Sequence, residues 1–162
     1  MTIQRLDHDQ LSAILPLLEQ VHGLHCAAEP HRYRAFLGRV DVLNWLEAWV
    51  ETSQVRILIS GTPDAPTGYL AYAVIRKPQS VIRPAQHYAV LEHICVDAPY
   101  RGQGIGHQLI AEMRKRLCTE GVARIRATYA AWNEASAALL ASEGFVVSTL
   151  NVEAEIGAGR RY

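Results

Sequence analysis

Three glycines and one arginine form the most distinctive chemical pattern in this sequence. They occur in the segment RGQGIG, as Arg101, Gly102, Gly104 and Gly106, and an amphipathic helix pattern follows. The first N–H groups of a helix have no partner inside the helix, and glycines let an anion approach them closely. A guanidinium beside them suits phosphate. The segment therefore predicts an anion site, and several converging N–H groups favour a diphosphate over a single carboxylate.

Alternative roles for the glycine segment fit its spacing less well. A tight connection from a strand to a helix needs one glycine rather than three. A Walker A loop needs a lysine after its last glycine, and none follows Gly106. A Rossmann fingerprint needs G-x-G-x-x-G, whereas this chain has G-x-G-x-G. A nucleotide- or phosphate-binding protein of another fold is therefore disfavoured.

The apolar pattern predicts the elements that must hold this segment. Helices are predicted at residues 9–25, 41–53, 105–121 and 133–144. Strands are predicted at residues 2–6, 54–60, 68–75, 87–96 and 122–130, with one or two closing strands within 145–156. The expected N-caps and C-terminal stops are Asp9, Asp41, Asn133, Gly121 and Gly144. Pro16 should kink the first helix or shift its start, and the order of elements predicts a mixed α/β layered sheet.

Composition sets the class of protein. The 162 residues suit a single domain, and Lys+Arg and Asp+Glu balance at 16 each, so neither nucleic acid nor an anionic membrane is an expected partner. The three cysteines are scattered, which predicts no disulfide framework and fits a reducing compartment. The first residues lack the pattern of a signal peptide, and no apolar run approaches ~18 residues. We therefore expect a cytoplasmic protein.

Two segments together resemble one family, the GNAT superfamily of acyl-CoA-dependent N-acyltransferases. VDAPYRGQGIG resembles its R/Q-x-x-G-x-G/A pyrophosphate motif, through Arg101, Gly104 and Gly106. NEASAALLASEGF resembles its N-x-x-A-x-x-L-Y-x-x-x-G-F stretch, through Asn133, Leu139, Gly144 and Phe145. The resemblance implies one N-acetyltransferase domain over residues 1–162, with a motif-bearing core at about 54–150. It implies an α/β fold with a mixed, mostly antiparallel sheet, splayed central strands and flanking helices.

The resemblance also implies acetyl-CoA as cosubstrate and no metal. In the family, the motif backbone holds the CoA diphosphate, which here corresponds to Arg101, Gly102, Gln103, Gly104, Ile105 and Gly106. The preceding strand pairs with the pantetheine arm, which corresponds to Ile94, Cys95 and Val96. Asn133 resembles the asparagine near that arm, and a helix N-cap is its alternative role.

Glu92 is the expected general base, because an alkylammonium must lose a proton before its nitrogen can attack a thioester. Strand alternation would place Glu92 with Ile94 and Val96 on one face and His93 and Cys95 on the other. An exposed or salt-bridged glutamate is the alternative. His93 is the competing base, although a hydrogen-bonded core histidine is favoured, and Cys95 is a disfavoured acyl carrier because such cysteines usually pack as small hydrophobes.

The sequence departs from the family at the residue that protonates the departing thiolate. The usual tyrosine position is Leu140, so that general acid is absent. A thiol of ordinary pKa ~8.5 leaves tolerably without one. Tyr129 is the substitute candidate, with a packed aromatic as its alternative role.

Acceptor contacts are expected between the first two helices and the hairpin, where the family places its acceptor pocket. The candidates are His25, Glu29 and Tyr33, with His31 and Arg32 beside them and a surface loop as the alternative. A metal site at His22, His25 and Cys26 is disfavoured, because no further ligand has suitable spacing. The expected function is transfer of an acetyl group to a primary amine of a small molecule or peptide. A catalytically inactive acyl-CoA-binding sensor is the alternative, and a homodimer is compatible with the family.

Overall fold

The computed structural model describes residues 2–154. Helices α1 to α4 are Leu15–Ala28, Arg39–Thr52, Ile105–Thr119 and Glu134–Ser142. Strands β1 to β5 are Ile3–Arg5, Arg56–Thr62, Ala65–Lys77, Gln86–Val96 and Ile125–Ala127. Short 3-10 helices occupy His8–Ile14 and Ala98–Tyr100. No helix within 2–154 is long and apolar enough to cross a membrane.

The strands form one sheet in the order β1-β2-β3-β4-β5. The first four are antiparallel to their neighbours, and β5 runs parallel to β4. Each face of the sheet carries an apolar core. One core packs against α1 and α2 and includes Leu18 and Leu46, and the other packs against α3 and α4 and includes Leu109 and Leu140. This architecture confirms the predicted mixed, mostly antiparallel α/β fold.

The first two helices begin at different residues from those predicted. The 3-10 helix starts at His8 after Asp7, so Asp9 lies inside it and is not the N-cap. Pro16 shifts the α-helix start, as expected, because it sits in the first turn of α1, where a missing N–H costs nothing. Helix α2 starts at Arg39, and Asp41 lies in its first turn, where its charge favours the helix dipole.

The helix ends in the second half of the chain form where the predicted capping residues and glycines place them. Asn133 caps α4, and its Oδ1 accepts a hydrogen bond from the Ser136 N–H at 3.0 Å. Gly121 and Gly144 adopt positive φ after α3 and α4, as predicted. Strand β5, in contrast, has only residues 125–127 of the predicted 122–130.

The predicted closing strands do not form over residues 145–154. The residues that made that segment resemble a strand, among them Val146 and Val152, are exposed. A strand needs a paired neighbour of sufficient length, and β5 offers a short edge. Residues 155 and 156 of that prediction lie outside the described residues.

Glu92 lies in a β-bulge, which corrects the predicted alternation of β4. Ala71 of β3 pairs with His93 and Tyr72 pairs with Leu91, so the register skips Glu92. The bulge keeps Ile94 and Val96 on the α3 side and Cys95 on the α1–α2 side, as expected. Leu91 shares the α3 face with Ile94, so Glu92, between them, does not belong to a simple alternation.

Candidate active site

A gap opens between β4 and β5 immediately after the pair Leu91 and Ala127. Strand β4 continues to Val96, while β5 ends at Ala127. The resulting free edge of β4 begins at the bulged residue Glu92. The gap lies beside the edge strand of the described sheet, because β5 is the last strand in the order.

The backbone groups that face this gap belong to alternate residues of β4. The N–H of Asp97 donates to the Thr67 carbonyl of β3, at 3.0 Å. In an antiparallel pair, residues alternate between bonding to the partner strand and pointing away from it. Because Asp97 bonds to β3, Cys95 also faces β3, and the N–H and C=O groups of Ile94 and Val96 point into the gap. An extended ligand could pair with these groups as an added strand.

The glycine segment forms the turn between β4 and α3. Gly102 and Gly104 adopt φ of 74° and 78°, and a Cβ built on either would have no neighbouring atom within 4 Å. Positive φ favours glycine, and the empty space around both residues leaves their backbone accessible. Within residues 2–154, no hydrogen-bond acceptor is found for the N–H groups of residues 102–107. These groups surround the N-terminus of a 15-residue helix and fit the predicted anion.

Arg101 and Gly106 play distinct parts in this turn. Arg101 is exposed, and its Nε donates to the Val96 carbonyl at 3.1 Å, so its guanidinium lies where β4 meets the turn. Gly106 is buried, and a Cβ there would approach Leu139 Cδ2 to 3.0 Å. The missing side chain of Gly106 thus lets α3 pack closely on α4, while Gly102 and Gly104 shape the exposed surface.

Gln20 anchors the start of the turn, a role the sequence did not indicate. Its Nε2 donates to Asp97 Oδ1 at 2.7 Å, and its Oε1 accepts from the Ala98 N–H at 3.4 Å. Gln20 lies on α1, the helix that also carries the candidate acceptor residue His25. Helix α1 therefore links the turn to the candidate acceptor residues. A polar residue on a helix gives no signal for a partner 77 positions away.

Glu92 lies where an acid–base group would be needed, at the start of the gap. Its side chain reaches solvent, yet partial burial raises the pKa of its carboxyl above the ordinary value. The described residues include no salt-bridge partner for it. A carboxylate with a raised pKa is a better proton acceptor than an ordinary surface glutamate.

Burial determines the protonation states of His93 and Cys95, which lie on the other face of β4. Desolvation, and to a smaller extent the nearby His25 and His22, lowers the pKa of His93 to about 4. Its ring packs against Trp49, with centroids 5.0 Å apart, and its Nδ1 lies 3.3 Å from Tyr69 Oη. Burial raises the pKa of Cys95 to about 11. At neutral pH the histidine is therefore uncharged, and the thiol is protonated and poorly nucleophilic.

The tyrosine position of the family motif contributes to the core in this protein. Leu140 is buried among the residues between α3, α4 and the sheet, so no hydroxyl is present there. Tyr129 follows β5 on the other side of the gap, and its side chain is 40% exposed rather than packed in either core.

The candidate acceptor residues converge at the end of α1. The ring centroids of His25 and Tyr33 are 5.0 Å apart. Trp132, from the segment between β5 and α4, lies 5.2 Å from the His25 ring, and its Nε1 donates to Glu29 Oε2 at 3.1 Å. Sequence reasoning missed Trp132, because a single tryptophan in a loop has no periodic context. Within residues 2–154, no group of three or more His, Cys, Asp or Glu side chains is arranged to hold a metal ion.

Solved structures share this fold at low sequence identity. The BH1408 protein from Bacillus halodurans, in a tetramutant form, has a TM-score of 0.85 and 18% identity, over 96% of this chain and all of that one. Aminoglycoside N-acetyltransferase AAC(6')-Iy, in complex with CoA, has a TM-score of 0.67 and 14% identity, over 97% of this chain and 100% of that one.

A further similar structure is the aminoglycoside acetyltransferase meta-AAC0020 from an uncultured soil metagenomic sample, in complex with sisomicin. Its TM-score is 0.66 and its identity 15%, over 98% of this chain and 96% of that one. Comparison with curated protein sequences gives no match. The model of the Acetyltransferase (GNAT) family matches residues 18–145, which include the gap, the glycine turn and the candidate acceptor residues. The chain therefore belongs to the GNAT acetyltransferase family.

Proposed function

We propose that this protein transfers an acetyl group from acetyl-CoA directly to the primary amine of a small molecule or peptide. One observation carries the proposal: the free edge of β4 leads straight into a turn whose N–H groups, at residues 102–107, have no acceptor within residues 2–154. This continuous strip of backbone suits a ligand with an amide-containing arm and a diphosphate. A structure similar in fold holds CoA, which agrees with this choice of cosubstrate.

The chain offers separate groups for each part of CoA. The turn from Arg101 to Gly106 would hold the diphosphate through backbone N–H groups, with the Arg101 guanidinium at its edge. Ile94 and Val96 would hold the amide groups of the pantetheine arm, and Cys95, whose backbone faces β3, would not contribute directly. Asn133 already caps α4 and would lie beside the arm. When bound, acetyl-CoA supplies the acetyl group as a thioester.

Glu92 would accept the proton of the acceptor ammonium, directly or through a water molecule. The neutral nitrogen then attacks the thioester carbonyl, and a backbone N–H near Val96 holds the developing negative charge on oxygen. The tetrahedral intermediate then breaks its C–S bond, and its nitrogen loses a second proton. Tyr129 would donate a proton to the departing sulfur, in place of the absent tyrosine at Leu140, and regain one from that nitrogen through water. Cys95 would not carry the acetyl group, because its thiol is buried and its pKa is about 11.

Two measurements test the function. Isothermal titration with CoA should show binding at one site, because the turn provides one set of free N–H groups. Acetyl-CoA mixed with a panel of amines should then release thiol in a way that depends on the amine. No CoA binding would contradict the proposal, and CoA binding without thiol release for any amine would favour the inactive sensor.

Loss of the Gln20 side chain should weaken CoA binding without removing it. Gln20→Ala deletes the two hydrogen bonds to Asp97 and Ala98, each with a net value of about 0.5–1.5 kcal/mol. We expect the Kd for CoA to rise roughly 5- to 150-fold if that energy, about 1–3 kcal/mol in total, is used to order the turn. Gln10→Ala, at a glutamine that contacts only Asp7, is the matched control. Equal Kd values for the two variants would show that Gln20 does not position the turn.

A further inference from the structure

The acceptor side of the site presents a continuous aromatic surface, which we call the aromatic wall and define as His25, Tyr33 and Trp132. The three rings come from α1, the segment after it and the segment before α4, with centroids 5.0 and 5.2 Å apart. Trp132 is 38% exposed, and the other two are partly exposed. A planar or apolar group can therefore bury surface against these rings and gain stacking contacts.

The charged groups around the aromatic wall leave a net charge of −1, because Glu29 and Glu153 share the one guanidinium of Arg32. Among the described residues, Glu29 is the carboxylate whose charge acts on His25, and none acts on His93. The Glu29 carboxylate already accepts from Trp132 Nε1 and lies 3.5 Å from Arg32 Nη1. Arg32 also contacts Glu153 at 3.0 Å. That net charge can balance one ammonium, whereas an acceptor with several ammonium groups would lack partners for the others, since each desolvated charge needs a partner.

The polar groups of the wall suit an acceptor with one amine. Desolvation lowers the pKa values of His25 and His93, so neither ring carries positive charge that would repel an ammonium near neutral pH. His25 Nδ1 is buried and has no hydrogen-bond partner in residues 2–154, so it adds no charge or exposed donor to the wall. Glu92 would take the one proton that the reaction releases overall, because the second proton lost by the nitrogen balances the one gained by the departing sulfur.

We infer that the acceptor is a monoamine with an aromatic or otherwise apolar body, and that the aromatic wall binds this body. The inference rests on the proposed function and narrows its substrate class. It separates this protein from the aminoglycoside acetyltransferases that share its fold, whose acceptors carry several amines. Likeness to those structures at 14–15% identity concerns the fold and does not extend to the acceptor.

Thiol release at saturating acetyl-CoA tests the inference, with phenethylamine and sisomicin as acceptors. We expect a higher kcat/KM for phenethylamine. Trp132→Ala should lower that kcat/KM about tenfold or more by removing the stacking surface. Trp132→Phe keeps a ring and loses the bond to Glu29, so it should retain most activity. Trp45→Ala, at an exposed tryptophan of α2 outside the wall, is the matched control.

A higher kcat/KM for sisomicin, or an unchanged value for phenethylamine in Trp132→Ala, would overturn the inference. If no amine of the panel releases thiol, the proposed function fails, and titration of phenethylamine into the CoA-saturated protein decides the acceptor class. Binding that Trp132→Ala weakens would still support the aromatic wall. No phenethylamine binding would overturn it.

Discussion

Glu92→Gln is expected to lower kcat/KM at neutral pH by roughly 10²- to 10⁴-fold, the usual contribution of a general base. Glutamine keeps the size of the side chain but cannot accept the proton of the acceptor ammonium. The structure supports this choice because Glu92 is the bulged residue at which the β4–β5 gap begins. Thiol-release kinetics at saturating acetyl-CoA measure the effect. Glu19→Gln, at an exposed glutamate of α1, is the matched control.

The pH dependence separates a lost base from a damaged fold. Partial burial raises the pKa of Glu92, so the wild-type protein should lose activity as the pH falls through that raised pKa and keep it above. Glu92→Gln should lack this acid limb. Its rate should instead rise about tenfold per pH unit below the amine pKa of ~10, because only the neutral amine reacts. A wild-type rate and pH profile in Glu92→Gln would show that Glu92 is not the general base, and His93 would be the next candidate.

Gly104→Glu should abolish measurable CoA binding. The residue has φ of 78°, and its missing Cβ faces open space beside the free N–H groups. A glutamate there would occupy the proposed diphosphate site and add a like charge, which costs several kcal/mol, or about 100-fold or more in Kd. Isothermal titration with CoA gives the affinity, and thermal unfolding gives the stability of the same variant.

Gly121→Glu is a close control for Gly104→Glu. Gly121 also has positive φ, 68°, and a Cβ at that position would have no atom within 4 Å, so both variants carry a similar backbone strain of about 1–2 kcal/mol. Gly121 follows the far end of α3, about 22 Å along a 15-residue helix. We expect both variants to lose similar stability and only Gly104→Glu to lose CoA binding. Equal CoA affinity in the two variants would show that the turn does not bind the diphosphate.

Local signals in the sequence were sufficient for the four helices and the long strands, and they also gave the prediction of a cosubstrate-binding turn. Helix ends at Asn133, Gly121 and Gly144 depend on a few neighbouring residues, and each formed as predicted. Apolar periodicity likewise located the four helices and the long strands, because a repeat of 3.6 or 2 residues records which face is buried. The turn from Arg101 to Gly106 is a contiguous motif, so its residue types alone predict an anion site.

Long-range pairing decided what the sequence could not show. Alternation along β4 misplaced Glu92, because a bulge depends on the register that Ala71 and Tyr72 impose from β3. The closing strands within 145–154 failed for a related reason, since strand propensity requires a partner edge.

The contacts among the candidate acceptor residues depend almost wholly on the tertiary structure. Trp132 meets His25 and Glu29 across more than a hundred positions of sequence, and Gln20 meets Asp97 across 77. Single aromatic or amide residues carry no periodic signal for such contacts. The sequence by itself determined the family motif, the order of elements from β1 to α4 and the turn predicted to bind an anion, because each is encoded in short segments. Only the tertiary structure decided where β4 separates from β5 and which rings form the aromatic wall, because those depend on residues that folding alone brings together.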